Sequence, residues 1–323
     1  MSTTPTLPAR QLGKTGIQVS PIGLGVMELS GGGGMLGMAF PIISTPDKNA
    51  IIQAALDGGI TWFDTAEIDG AGLSERSLAT GLEAAGKHPG DVVIATKWFP
   101  LFRTAGNIPR TVGNRLRFLD GYPIDLYYVH QPISFSTPEA EMNAMADLVE
   151  AGKIRSVGIS NFGPERMRRA YAALQKRGLP LAANQVRYSL VDRHIERDGT
   201  LATAKELGVT ITAYTPLGSG LLSGKYHKNP ELLKSKSFFW RNRIQRLLEP
   251  TRPLVAALEE IAAKYQVTAA QVALNWVINF NGEIVVTIPG ATKAKQAAES
   301  AGAMKFKLSG EEMARLDELS RQF

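Results

Sequence analysis

Three ionisable residues interrupt apolar runs in successive blocks of this chain: Asp64 in Trp62-Phe63-Asp64-Thr65-Ala66, Lys97 in Ala95-Thr96-Lys97-Trp98, and His130 in Tyr127-Tyr128-Val129-His130-Gln131-Pro132. Taken singly, each has a plain structural role: a capping aspartate, a lysine whose stem lies along apolar surface, a histidine satisfied by a loop carbonyl. Taken together, at equivalent ends of three short strands, they point into one mouth. A carboxylate, an ammonium and an imidazole there suit proton transfer, and the lysine alone would suit a Schiff base. Metal binding fits less well, since no His-x-x-x-His pair occurs and His88, His194 and His227 fall in turns or on helices. With no cysteine in the 323 residues, disulfides, thiolate ligands and a cysteine nucleophile are excluded.

Such residues need a repeated frame to hold them. Runs rich in β-branched and aromatic residues predict strands at 19–25, 61–66, 92–97, 124–130, 154–161, 182–188, 210–217 and 284–289. Helical segments follow near 47–58, 74–86, 109–119, 138–151, 164–178, 194–207, 252–279 in two pieces, and 293–302. Prolines and polar caps open several of them, and glycines close them. Strand alternating with helix is the pattern of a parallel sheet, so the expected fold is α/β, a (β/α)₈ TIM barrel forming one domain over 1–323. Ahead of it, Gly13-Lys14-Thr15-Gly16 between two extended runs predicts an N-terminal β-hairpin that plugs the barrel floor; a capped helix over 309–320 ends the chain.

A composition 44% hydrophobic and 20% charged is that of a protein with a large buried core. The net charge of +6 is dispersed, and its one cluster, Arg241, Arg243 and Arg246, alternates with apolar positions, so it reads as a solvated lid face and not a nucleic-acid surface. An anionic small molecule suits such a protein. No apolar run approaches the ~20 residues that span a bilayer, and the first residues lack the regions of a signal peptide, so a soluble, cytoplasmic protein is expected. The sequence assigns no oligomeric state.

Two long excursions, 28–46 and 218–252, follow strand C-termini, the barrel face where active sites are built, so they are expected to cover a ligand. Gly32, Gly34 and Gly37 within the first satisfy G-x-G-x-x-G. They begin seven residues after Gly25, and Pro41 follows too soon for a crossover helix, so the segment reads as a flexible lid loop and not a phosphate loop.

Along essentially its whole length the chain resembles the aldo-keto reductase superfamily. The resemblance is carried by Gly23-Leu24-Gly25, by Trp62 to Glu75 with its Asp-Thr-Ala-Glu-x-x-Gly core, and by Thr96-Lys97 and 125–130. Further on it is carried by Gly152-Lys153-Ile154-Arg155-x-x-Gly158-x-Ser160-Asn161-Phe162, Asn184-Gln185, Tyr214-Thr215-Pro216-Leu217 and Ile288-Pro289-Gly290. Within the superfamily it looks most like the bacterial branch that includes potassium-channel β-subunit-like reductases. The resemblance implies a catalytic set of Asp, Tyr, Lys and His, in which the Asp matches Asp64, the Lys Lys97 and the His His130. Hydride arriving at a carbonyl carbon leaves negative charge on oxygen, so a proton donor and positive neighbours must wait there. Where relatives carry the proton-donating tyrosine, this chain has Asp69.

The resemblance also implies a nicotinamide dinucleotide across the mouth. Gly25, Val26, Met27 and Asp64 would line it, and Ser160, Asn161 and Gln185 would hold the carboxamide. Tyr214 would stack on the nicotinamide, and Thr215, Leu217, Gly218 and Gly220 would follow the pyrophosphate. Gly290, Thr292, Lys293, Gln296, Glu299 and Ser300 would hold the adenosine half. Lys293 suits a 2′-phosphate, which favours NADPH, with NADH as the alternative. Met27, Trp98 and Phe102 would shape an apolar substrate pocket.

The leading function is therefore NADPH-dependent reduction of aldehyde or ketone carbonyls. The alternative is a dinucleotide-binding sensor or subunit partner with little turnover, and a third is a Schiff-base aldolase or isomerase on Lys97, in which the cofactor blocks have no role. Asp69 decides between the first two. Beside Lys97 an aspartate is expected to be driven toward the anion, to offer no proton and to repel a developing alkoxide.

Overall fold

The apolar runs become strands buried on both faces, as parallel strands under a layer of helices must be. The computed structural model describes residues 7–33, 41–235 and 238–323. A two-stranded antiparallel hairpin, β1 (Arg10–Gln11) and β2 (Gln18–Val19), precedes eight parallel strands: β3 (Leu24–Gly25), β4 (Trp62–Asp64), β5 (Val93–Trp98), β6 (Leu126–Val129), β7 (Ser156–Ser160), β8 (Leu181–Arg187), β9 (Thr210–Tyr214) and β10 (Val285–Thr287). Neighbours in sequence pair in order from β3 to β10. Closure comes from two parallel bridges, Ile22 to Thr287 and Gly25 to Gly290, with Gly23 N–H donating to the Thr287 carbonyl at 2.8 Å and Gly25 N–H to that of Pro289 at 3.0 Å.

The helices α1 (Thr45–Asp57), α2 (Leu73–Ala84), α3 (Ile108–Phe118), α4 (Pro138–Glu150), α5 (Pro164–Gln175), α6 (Thr200–Leu207), α7 (Phe238–Tyr265), α8 (Ala269–Asn279), α9 (Ala294–Gly302) and α10 (Gly310–Ser320) form the outer layer. Capping boxes open α8 (Thr268 with Gln271) and α10 (Ser309 with Glu312). Among the described residues no helix is long and apolar enough to cross a membrane.

The core has two shells. One lies inside the barrel, where Trp62, Ala95, Leu126, Tyr128, Ala182 and Val286 meet Leu12, Ile17 and Val19 of the hairpin, so the hairpin does plug the floor. The other lies between sheet and helices and holds Phe63, Ile94, Trp98, Tyr127 and Val129. Successive residues of one strand enter different shells, the period-two alternation of extended backbone.

Three expectations are corrected. The first barrel strand is only Leu24–Gly25, because Val19 is taken by the hairpin. The helix expected over 194–207 is broken at Gly199, whose φ is +87°, into one turn and α6. Most of the 218–252 excursion is helical, and α7 begins at Phe238 and runs through Pro250 and Pro253. Thr251 Oγ1 donates to the Leu247 carbonyl at 2.5 Å and His227 Nε2 contacts the Leu248 carbonyl at 3.1 Å, which tends the backbone beside those prolines. Of the rejected glycine motif, Gly32 is in a turn, and Gly34 and Gly37 lie outside the described residues, as does part of the 28–46 excursion.

Candidate active site

Asp64 ends β4, Lys97 lies near the end of β5, Gln185 is within β8 and His130 follows β6. Alternation sends Lys97 inward while Thr96 and Trp98 face the helices. Lys97 Nζ donates to Asp64 Oδ1 and, at 2.9 Å, to the Thr65 carbonyl; Gln185 Nε2 donates to the other Asp64 oxygen at 2.9 Å. Burial raises the Asp64 carboxyl while Lys97 and Gln185 pull it back. Both Asp64 and Lys97 are almost wholly enclosed, so neither can shed its partner without leaving a charge unpaired.

Asp69 opens a short 3₁₀ turn, Asp69–Gly72, anchored by its N–H on the Ala66 carbonyl at 3.1 Å. Gly70, Ala71 and Gly72 are all left-handed, and a side chain on Gly72 would run into the Phe118 ring. The turn packs Asp69 down to 4% exposure. Burial pushes its carboxyl up to about 7; Lys97 opposes this and Asp64 adds to it. The expectation that Lys97 would hold Asp69 as an anion is therefore wrong. One ammonium, already bonded to Asp64, does not offset the loss of water around a second carboxylate.

Glu28 is a neighbour that sequence reasoning missed. Burial, opposed by its own backbone N–H and aided by Asp69, raises it to about 7. Its carboxyl fills the space left by the missing side chain of Gly290, where a Cβ would collide with it. Only its place just after β3 could have signalled it. His130 is also shifted: burial, then Lys97, lower it to about 3, so the imidazole is neutral at pH 7. Its Nδ1 has no hydrogen-bond partner among the described residues, and its ring meets the Phe99 edge at 5.7 Å.

Behind the β4–β5 wall lies a second polar layer that the sequence did not announce. Thr65 and Ser74 hydroxyls meet at 2.6 Å, Thr96 Oγ1 donates to Glu75 Oε1 at 2.7 Å, and Arg115 Nε lies 3.2 Å from Glu75 Oε2. Glu67 accepts from Phe99 N–H at 3.0 Å and pairs with Arg103 at 2.8 Å. These contacts lock the residues flanking Asp64 and Lys97.

The apolar pocket is partly corrected. Trp98 is fully buried in the helix-side shell, and its indole N–H donates to Asn107 Oδ1 at 2.9 Å, so it does not line the mouth. Met27 is on the rim, and Phe102 is 78% exposed beside Phe135. Tyr128 lies inside the barrel with its hydroxyl 3.1 Å from Thr212 Oγ1, and burial raises its pKa, so it is no proton donor.

Of the residues expected on the nicotinamide side, Ser160, Asn161 and Tyr214 come together. Tyr214 OH donates to Asn161 Oδ1 at 3.0 Å, and Asn161 Nδ2 donates to Ser160 Oγ at 3.1 Å. This set of neutral donors and acceptors fits a carboxamide. Thr215, Leu217, Gly218 and Gly220 form the irregular loop after β9. The residues expected to hold the adenosine half sit apart, around α9: Gln296 Oε1 accepts from Thr292 N–H at 2.8 Å, Ser300 is buried, Glu299 faces Lys295 at 3.9 Å, and Lys293 is exposed. Among the described residues no group of three His, Cys, Asp or Glu could hold a metal.

The family model described as Aldo/keto reductase matches residues 21–321. An aldo-keto reductase of Strobilurus tenacellus is 34% identical, over 98% of this chain and 93% of that one. A pyridoxal reductase of Arabidopsis thaliana is 30% identical, over 95% and 84%. Among solved structures, a thermostable aldo-keto reductase in complex with the inhibitor epalrestat superposes with a TM-score of 0.76 at 31% identity, over 96% of this chain and 99% of the other.

Proposed function

We propose, since this chain belongs to the aldo/keto reductase family, that it reduces aldehyde or ketone carbonyls with NADPH and that Asp69 supplies the proton where relatives use a tyrosine. The observation that carries the reading is a buried, protonatable Asp69 beside the Lys97–Asp64 pair and a neutral His130. The nicotinamide, when bound, supplies the hydride; Ser160, Asn161, Gln185 and Tyr214 would hold it. His130 presents an uncharged imidazole to orient the carbonyl. Protonated Asp69 donates to the carbonyl oxygen while the Lys97 ammonium, fixed by Asp64 and Thr65, offsets the charge that grows there. Aspartate is shorter than tyrosine, and once ionised it repels the alkoxide, so turnover is slow at neutral pH.

The test is NADPH oxidation with a panel of aldehydes and ketones, pyridoxal among them, from pH 6 to 8. Weak turnover should rise as pH falls through about 7, and Asp69→Asn should abolish it. Turnover that ignores pH, or survives Asp69→Asn, removes Asp69 from the role. The second reading, a dinucleotide-binding sensor or subunit partner, draws on Glu28, whose carboxyl adds negative charge beside Asp69. Saturable NADPH binding with no turnover at any pH would favour it.

A further inference from the structure

We propose that Arg76, Thr80 and Arg117 form a binding site for a small phosphate monoester on the outer face of the barrel, in the hollow between α2 and α3, and that its occupation stiffens the turn carrying Asp69. Arg76 and Thr80 are four residues apart on α2 and so share a face, and Arg117 lies in the last turn of α3. All three are exposed, and with Ala79, Phe118 and Asp120 they line an open hollow of about 530 Å³, room for a small organic ligand.

The floor of the hollow is Phe118. Three guanidinium groups lie over its ring, those of Arg76 at 4.4 Å, Arg117 at 5.0 Å and Arg115 at 5.1 Å from its centre. Arg115 is buried, and its charge is met by Glu75 at 3.2 Å and Glu67 at 3.7 Å. Among the described residues no carboxylate is paired with Arg76 or Arg117, and Arg117 donates only to Asn114 Oδ1 at 3.3 Å. Asp120 lines the same hollow without closing an ion pair to either. Stacking on a ring uses the flat face of a guanidinium and leaves the N–H donors at its edge available. Two unneutralised cations held round one ring also repel each other. A phosphate group that accepts from both gains charge-assisted hydrogen bonds and relieves that repulsion, and the Thr80 hydroxyl supplies a further donor.

The hollow is tied to the Asp69 turn through its floor. A Cβ on Gly72 would collide with Phe118 Cδ2, so the ring bears directly on the turn Asp69–Gly72. Gly72 leads straight into α2, which carries Arg76 and Thr80. A ligand that fixes both guanidiniums fixes the ring beneath them, and the ring holds the turn. The site stands whether or not Asp69 is the proton donor.

The experiment is calorimetric titration of the full chain with inorganic phosphate and with glycerol phosphate at fixed ionic strength, joined to amide hydrogen exchange with and without saturating glycerol phosphate. Saturable binding is expected, tighter for the ester than for the bare ion because the ester fills more of the hollow. Arg76→Gln and Arg117→Gln, both at exposed positions where folding is not at stake, should each weaken it about fivefold or more. Asp120 has φ +48°, a conformation asparagine tolerates, so Asp120→Asn should fold and tighten binding about twofold by removing the carboxylate from the hollow. No saturable binding to the parent chain, or binding that both glutamine variants keep at parental affinity, overturns the site. Equal affinity for the two ligands overturns the monoester in favour of the free ion. Exchange at Asp69–Gly72 should slow in the saturated parent and stay unchanged in Arg117→Gln at the same ligand concentration. Exchange that saturation of the parent does not alter overturns the link to the turn.

Discussion

The two ends of the barrel mouth handle charge in opposite ways. At the β3–β6 end, Asp64 is bonded to the single ammonium of Lys97, Asp69 lies in the field of both, Glu28 lies beside Asp69, and burial lifts all three carboxyls. At the β10–α9 end, Lys293 stands in solvent and carries no perturbing neighbour of opposite sign in the ion pairs of the described residues. The first region stores electrostatic cost that chemistry can draw on, whereas the second has only affinity to give. Changes at the first should therefore move rate, pH profile and stability, and changes at the second should move cofactor binding alone.

The largest expected effect is on rate. Asp69→Tyr should raise NADPH-dependent carbonyl reduction by ~10²–10⁴, the usual worth of a well-matched general acid, and should remove the rise in activity below pH 7. Its NADPH affinity should stay close to that of the parent chain, because the carboxamide and adenosine residues are elsewhere. Steady-state kinetics and a binding titration on the same preparation check both halves. A variant that gains nothing, with binding intact, would mean that Asp69 does not stand where the acid acts.

Stability should move next. Glu28, Asp69, Glu75 and Glu141 are all raised to about 7 by burial, whereas their unfolded values sit near 4. Between those values the unfolded chain has released protons that the folded chain retains, so stability falls as pH rises through the window. Lowering the pH from 8 to 6.5 should thus stabilise the protein by on the order of a few kcal/mol, read as a higher Tm. Below 6.5 the gain continues down to about pH 4, because His130, lowered to about 3 and protonated first in the unfolded chain, opposes only one of the four carboxyls. Asp69→Asn removes one of the four groups and should gain a few kcal/mol at pH 8 and little near pH 4. An Asp69→Asn variant no more stable than the parent at pH 8 would show that Asp69 is not held up by burial.

The same contrast explains what could be read without coordinates. Asp64, Lys97 and His130 were legible because each breaks an apolar run at a strand's C-terminal end, and a strand buried on both faces has few other reasons to carry charge. The hairpin plug was legible from its glycine turn. Trp98 was misplaced although alternation forbids it: if Lys97 points inward, its neighbour points out. The titration of Asp69 was misread because sequence names a neighbour, Lys97, but not the packing of a left-handed turn against Phe118 that removes water. The start of α7 was taken for loop because Pro250 and Pro253 look like breakers, while the hydroxyl of Thr251 and the ring of His227 that tend the backbone there lie outside any local pattern.

The smallest effect belongs to the exposed end and is the cleanest test of the division. Lys293 precedes α9, its ammonium is exposed, and the neighbouring Gln296 is occupied in holding the Thr292 backbone and hydroxyl at 2.8 and 3.1 Å. Gln296 therefore fixes the turn, which leaves Lys293 as the charge available to a 2′-phosphate. A partly exposed charge-assisted contact is worth roughly 1 kcal/mol, so Lys293→Ala should weaken NADPH about fivefold and leave NADH nearly unchanged. Because the site is solvated, the difference should shrink at high salt. Turnover at saturating NADPH should stay at the parental rate and keep its pH profile. Equal losses for the two cofactors would take the 2′-phosphate away from Lys293, and a loss of rate at saturation would mean that the two ends of the mouth are not separable after all.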